Sequence, residues 1–247
     1  METVDIIIFS GQSNMQGQTE ALPDPNPIIE NALEYRFDGN ALIPLRHPVG
    51  ELVTVCQYFL AADSGHGSLV PDFCNEYAKL KGRKVIAVHA AKGATTISEW
   101  LHGTQRYHYL KFKVNAAIDK VKENYNIGKI YMVWLQGESD AVIGTEYDEY
   151  YKKLIQFKND VKKDFGIDKF GVIGVGYFTK EGNADQKIMS AQKQAAKDDS
   201  DFIYLTDICE KLSLDKTYIN PNAAGHYTNA ALKIIAKEAA KTLALLN

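Results

Sequence analysis

The chain has 247 residues, 45% hydrophobic and 24% charged, an ordinary globular composition with ample material for a core. Its formal net charge is −3, with Lys and Arg scattered among acids rather than gathered on one arm, which argues against nucleic acid as a partner. No apolar run approaches the ~20 residues that span a bilayer, and Cys56, Cys74 and Cys209 stand too far apart for a zinc or redox motif.

Five apolar runs punctuate the chain: "VDIIIF" (4–9), "KVIAVHA" (84–90), "KIYMVWL" (129–135), "FGVIGVGYF" (170–178) and "DFIYLTD" (201–207). They lack strict alternation, so each is expected to be a strand covered on both faces. The stretch 18–68 carries Pro23, Pro25, Pro27, Pro44 and Pro48 and is read as a long loop over the carboxyl edge of the sheet. Helical spacing follows in "PDFCNEYAKLKG", "YLKFKVNAAIDKVKENYN", "EYDEYYKKLIQFKNDVKKDFG", "ADQKIMSAQKQAAKDD" and "NAALKIIAKEAAKTLALL", the first and third ending on glycine. Strand and helix alternating at this interval predict one parallel sheet with helices on both sides. No repeat or linker interrupts it, so residues 1–247 are expected to form a single domain. The first strand begins a few residues after Met1 with acids beside it, and the cysteines are odd in number. Together these predict a cytoplasmic chain.

The loops after the strands share one rim, and three of them are unusual. After the first strand comes "GQSNMQG" (11–17), which sets Ser13 between Gln12 and Asn14. The second is followed by "AAKGATTISEW", in which Gly93 and small hydroxyl residues let backbone N–H groups approach a ligand. "WLQGESDA" ends the third, with Gln136, Glu138 and Asp140. Near the C-terminus "NPNAAGHYT" carries His226. A serine hydroxyl needs a base within hydrogen-bond reach to become a nucleophile, and His226 is the natural base here. The resulting oxyanion needs donors, which the N–H groups of Ser13 and Gly93 and the Gln136 amide could supply. Glu138 and Asp140 also suit the plainer duty of ending a strand and capping the next segment. Trp100 and Trp134 read as core, with Trp100 the nearer to the rim.

GQSNM, the small-residue loop, WLQGESDA and the late His together resemble the SGNH-hydrolase superfamily, in its branch of carbohydrate esterases that includes sialate O-acetylesterases and acetylxylan esterases. The resemblance spans nearly the whole chain. It implies a flavodoxin-like three-layer α/β/α sandwich with a central parallel sheet of about five strands. It also implies a serine esterase that removes O-acetyl groups from a carbohydrate with no cofactor or metal. Ser13 matches the nucleophile and His226 the base. Ser13 and Gly93 match the oxyanion positions, with Gln136 in the block that contributes a side-chain donor. Gln12, Asn14, Glu138 and Asp140 are the supporting or substrate-near residues.

Two departures stand out. The acid that usually sits three residues before the His is replaced by Ala223, leaving Asp215, Glu138, Asn222 or a backbone carbonyl to orient the ring. In a second register Asn220, not His226, occupies the base position. The His226 register is preferred because Thr228 then caps the final helix. The rival functions are a general short-chain acyl esterase and an acetyl-sugar-binding relative without turnover.

Overall fold

The computed structural model describes residues 1–52, 62–63 and 66–246. Cys56, one of the three widely spaced cysteines, lies outside them. Its core is a sheet of seven strands: β1 (Thr3–Gly11), β2 (Ala32–Arg36), β3 (Ala41–Pro44), β4 (Val85–Ala91), β5 (Asn126–Leu135), β6 (Lys169–Ile173) and β7 (Phe202–Thr206). They run in the order β3-β2-β4-β1-β5-β6-β7, all parallel except β3, which pairs antiparallel with β2. The five expected strands form the contiguous run β4-β1-β5-β6-β7, and β2 and β3 extend it at the β4 edge. So the three-layer α/β/α class holds, and the strand count is corrected from five to seven.

The main helices are α1 (Ser13–Gln16), α2 (Val70–Lys81), α3 (Gln105–Lys122), α4 (Glu138–Ile143), α5 (Tyr147–Phe165), α6 (Asn183–Asp198), α7 (Ile208–Leu212) and α8 (Asn229–Ala244). α2 packs on α8 over one face of the sheet, while α5 packs against α3 and α6 over the other. On α5 the buried residues Tyr150, Leu154, Phe157, Val161 and Phe165 recur every three or four positions, giving one apolar stripe. That stripe meets Trp100 and Trp134, whose rings cross at 90° with centroids 5.3 Å apart, and Phe157 lies 4.8 Å from Trp134. Both tryptophans are fully buried, so Trp100 makes no rim contact. Thr228 caps α8 as expected, accepting from the Ala231 N–H at 3.3 Å.

Two sequence readings need revision. Residues 18–68 are not all loop, since β2 and β3 lie among them. The run 170–178 leaves the sheet after Ile173: Val175 N–H turns to Gln192 Oε1 (3.1 Å), and Phe178 and Thr179 N–H to the Asp185 carboxylate (3.1 and 2.9 Å). Side-chain acceptors replace the ladder there, so the run stays largely buried without being strand.

The topology fixes where a ligand can sit. From β1 the chain passes to β2 and β4 on one side, then crosses to β5 on the other. Such a reversal leaves a crevice outside the carboxyl ends of the strands. The loops carrying GQSNM, Gly93 and WLQGESDA all open there.

Candidate active site

Gly11 ends β1 at φ 142°, and a Cβ on it would stand 2.0 Å from the Leu135 carbonyl oxygen. Only glycine lets the ends of β1 and β5 approach this closely, and Gln12 N–H then donates to that same carbonyl at 3.0 Å. The chain turns at once into α1, whose single turn presents Ser13. Beneath it Met15 is fully buried, and its carbonyl accepts from His89 Nε2 at 2.9 Å. Burial pushes the His89 pKa down to about 3, so the ring is the neutral Nε2–H tautomer that this bond requires.

Gln12 reaches the next loop. Its Oε1 accepts from Ser139 N–H at 3.1 Å and Gly137 N–H at 3.3 Å. Asn14 faces elsewhere: its amide nitrogen donates to Glu138 Oε1 (2.8 Å) and the Gly225 carbonyl (3.2 Å), and its Oδ1 accepts from Tyr227 N–H (3.2 Å).

Gln136 corrects an expectation. It is fully buried, and its amide nitrogen donates to Asp140 Oδ2 at 2.6 Å and the Thr95 carbonyl at 2.8 Å. Its Oε1 accepts from the Tyr150 hydroxyl at 3.0 Å. The amide nitrogen also lies 3.4 Å from Gln12 Oε1, and Gln136 is absent from the cavity lining, so its bonds place it in the scaffold behind the crevice rather than at the oxyanion position expected for it. Asp140 completes this network by accepting from Ile97 N–H (2.8 Å) and Thr145 Oγ1 (3.1 Å), which ties the short 3-10 helix Ile97–Trp100 to α4. Burial raises the Asp140 carboxyl pKa, and these hydrogen bonds oppose that rise.

A cavity of about 750 Å³ opens at the crevice. Ser13, Gly93, Glu138 and His226 line it, so four separate segments meet as expected, together with Gln12. Gly93 is close to the serine: a Cβ there would lie 3.3 Å from Ser13 Cβ. Its N–H donates to Gln16 Oε1 at 2.8 Å. His226 sits on a tight turn closed by Asn220 N–H to its own carbonyl at 2.8 Å and His226 N–H to Ala223 O at 3.2 Å. Nδ1 lies 3.0 Å from Ala224 O and 3.3 Å from Ala223 O. Carbonyl oxygens only accept, so Nδ1 is the donor nitrogen, and in that tautomer the lone pair lies on Nε2.

The other acids do not hold the ring. Asp215 caps a turn through Thr217 N–H at 2.9 Å, and Glu138 Oε1 is engaged by Asn14. Burial pushes the Glu138 carboxyl pKa up. Asn220 is buried below the turn, donating to Gln18 O at 2.7 Å and accepting from Asn222 N–H at 2.9 Å, and it does not line the cavity.

Sequence reasoning missed several lining residues. Gln16, Gln18 and Lys92 form a polar side, and Val142, Ile143 and Phe178 an apolar one. Gln16 and Lys92 lie inside the quoted motifs and Gln18 directly follows one, so all three were legible by proximity. Val142 and Ile143, each 68% exposed, follow WLQGESDA directly, and an apolar pair on so short a helix is the available signal. Among the described residues no group of three His, Cys, Asp or Glu side chains is placed to hold a metal ion, and no helix is long and apolar enough to cross a membrane.

The family model described as "carbohydrate esterase, sialic acid-specific acetylesterase" matches residues 3–241. Among solved structures, a protein of Arabidopsis thaliana is 17% identical with a TM-score of 0.70, covering 98% of this chain and 99% of its own. NanS is 16% identical with a TM-score of 0.65, covering 98% and 97%. XAC1771, a carbohydrate acetylesterase from Xanthomonas citri, is 14% identical with a TM-score of 0.57, covering 96% of this chain and 55% of its own. At these identities the likenesses show the fold. No curated protein matches.

Proposed function

The chain belongs to the family of carbohydrate esterases described as sialic acid-specific acetylesterases, and from that membership we propose that it works through a Ser13–His226 dyad by way of an acyl-enzyme. It is a carboxylic ester hydrolase of the carbohydrate O-acetylesterase class. His226 Nε2 takes the Ser13 proton as Oγ attacks the acetyl carbonyl. The oxyanion is met by Ser13 N–H, which heads the α1 turn without an intrahelical partner, and by Gly93 N–H once the ester displaces Gln16 Oε1. His226 then protonates the departing sugar hydroxyl, and water activated by the same ring releases acetate.

The observation that carries this reading is the shared cavity, where Ser13, Gly93 and His226 converge from distant segments. The Ala224 carbonyl at Nδ1 stands where a triad would have its acid, holding the reactive tautomer. The amides of Gln12, Gln16 and Gln18 offer hydrogen bonds to sugar hydroxyls, while Val142, Ile143 and Phe178 offer an apolar wall. An acetylated carbohydrate is therefore the proposed substrate. The binding-only alternative drew on the missing acid at position 223 and on Asn220 in the base position; the Ala224 carbonyl at Nδ1 and the place of His226 in the cavity lining speak for the dyad instead.

The test is hydrolysis of p-nitrophenyl acetate by wild type, Ser13→Ala and His226→Ala, followed by a panel of O-acetylated sugars and longer acyl esters. Loss of most of the rate in both variants and preference for acetylated sugars are expected. Wild type no faster than the variants refutes the dyad, and a preference for longer acyl chains refutes the sugar assignment.

A further inference from the structure

We propose that Asn14 and Glu138 are positioning residues that set His226 against Ser13, an inference that rests on the dyad assigned above. Asn14 is 2% exposed and adjoins the nucleophile. Its amide grips Gly225 O and Tyr227 N–H, the main chain on either side of His226. One short side chain thus spans from the nucleophile turn to both flanks of the histidine, across 211 and 213 positions of sequence.

The grip is polar in one sense only. Two acceptors, Gly225 O and Glu138 Oε1, face the amide nitrogen, and one donor, Tyr227 N–H, faces the amide oxygen. Flipping the amide would set its oxygen against two oxygens and its N–H against an N–H. Glu138 fixes the orientation through the shortest of the three bonds, 2.8 Å. Its other oxygen, Oε2, is buried with no hydrogen-bond partner among the described residues, so Asn14 is its principal tether.

Both ends of this bridge are stiff. The α1 turn is anchored by His89 on Met15 O and by Gln12 on the start of α4. On the other side Phe178 packs edge-on against Tyr227 at 5.4 Å. The nucleophile-to-base distance is therefore set locally by the Asn14 amide rather than by the sum of loop conformations. Misplacing reacting groups by ~1 Å is enough to cost ~100-fold in rate.

The experiment measures kcat and KM for p-nitrophenyl acetate with Asn14→Asp, Glu138→Gln and the double variant. Active sites are counted by the p-nitrophenol burst and folding is checked by circular dichroism. Asn14→Asp keeps the acceptor for Tyr227 N–H, loses both donations and sets a carboxylate against Glu138. It is expected to lower kcat per active site by ~100-fold with KM within about threefold, and Glu138→Gln by ~10-fold. The double variant exchanges donor and acceptor across the pair. It is expected to recover at least ~10-fold over Asn14→Asp, a rescue that a merely structural role would not produce in kcat alone. A folded Asn14→Asp with kcat within about threefold of wild type, a loss carried by KM, or a double variant no better than Asn14→Asp overturns the proposal. If Asn14→Asp fails to fold, Glu138→Gln decides, and wild-type kcat in that variant overturns it. His226→Ala separates the two readings: activity retained there removes the dyad itself, whereas an inactive His226→Ala beside an active Asn14→Asp removes only the positioning role.

Discussion

Replacing Asp140 by alanine and by asparagine separates a scaffold carboxylate from a chemical one. The side chain is 1% exposed and accepts three hydrogen bonds: Gln136 Nε2 at 2.6 Å, Ile97 N–H at 2.8 Å and Thr145 Oγ1 at 3.1 Å. Alanine removes every acceptor. The Thr145 hydroxyl can turn elsewhere, but the Ile97 N–H is left buried and unmet and one Gln136 N–H keeps only the long 3.4 Å contact to Gln12 Oε1, at ~1–3 kcal/mol each. Asp140→Ala should therefore lose about 4 kcal/mol, a large part of the ~5–15 kcal/mol that holds a domain together. Asparagine can keep its carbonyl oxygen at the Oδ2 position for both N–H donors and turn its NH2 toward Thr145 Oγ1, which has lone pairs to accept it. All three partners remain paired, so Asp140→Asn should cost no more than about 1 kcal/mol. Urea unfolding followed by the fluorescence of the buried Trp100 and Trp134 measures both variants, and acetate-ester hydrolysis measures their activity. Equal destabilisation by the two substitutions would refute the reasoning, because the charge and not the hydrogen-bond pattern would then hold the loop. A stable but inactive Asp140→Asn would assign the carboxylate to the reaction.

Gln16→Ala removes the oxygen that occupies Gly93 N–H at 2.8 Å. With the amide open to the ester carbonyl, kcat/KM for p-nitrophenyl acetate should equal or exceed that of wild type, and a drop of ~10-fold or more would mean that Gln16 assists the reaction. Glu34 predicts a pH effect: burial lifts its carboxyl to about 7, against the opposing pull of Arg36 at 3.1 Å. Between pH ~4.3 and ~7 the folded chain holds a proton that the unfolded chain has released, so this contribution is full below ~4.3 and is lost as pH rises to 7. Relative to Glu34→Gln, wild type should lose on the order of 3 kcal/mol across that window, measured by urea unfolding. Parallel pH curves for the two proteins would contradict the shift.

What the sequence made legible, it made legible through burial. The five strands of the central run are apolar on both faces, so continuous runs announced them. β2 was hidden because its buried positions include Glu34, whose carboxyl accepts from Gly50 N–H at 2.6 Å and stands 3.1 Å from Arg36 Nε, and an acidic residue given such company only in three dimensions reads as loop in one. The overrun at 170–178 is the converse, since apolar residues record burial but not which partners the backbone chooses. In the site, residue types pointed to Ser13, Gly93 and His226, which the fold brings to one cavity. Gln136 misled because an amide in a polar motif looks the same whether it faces substrate or Asp140. The three bonds of Asn14 connect it to residues far along the chain, and no local pattern encodes them.

The Ala224 carbonyl beside His226 Nδ1 bears on how this protein tolerates change. An acceptor that belongs to the main chain has no side chain to delete, and every residue type at that position supplies it. Alanine scanning would register at most the two side chains of the proposed dyad and would miss the carbonyl assigned beside them. Natural variation at positions 223 and 224 is correspondingly released from any requirement for an acid. A sequence search keyed to an aspartate ahead of the histidine would pass over such chains, even where the ring is held in working order.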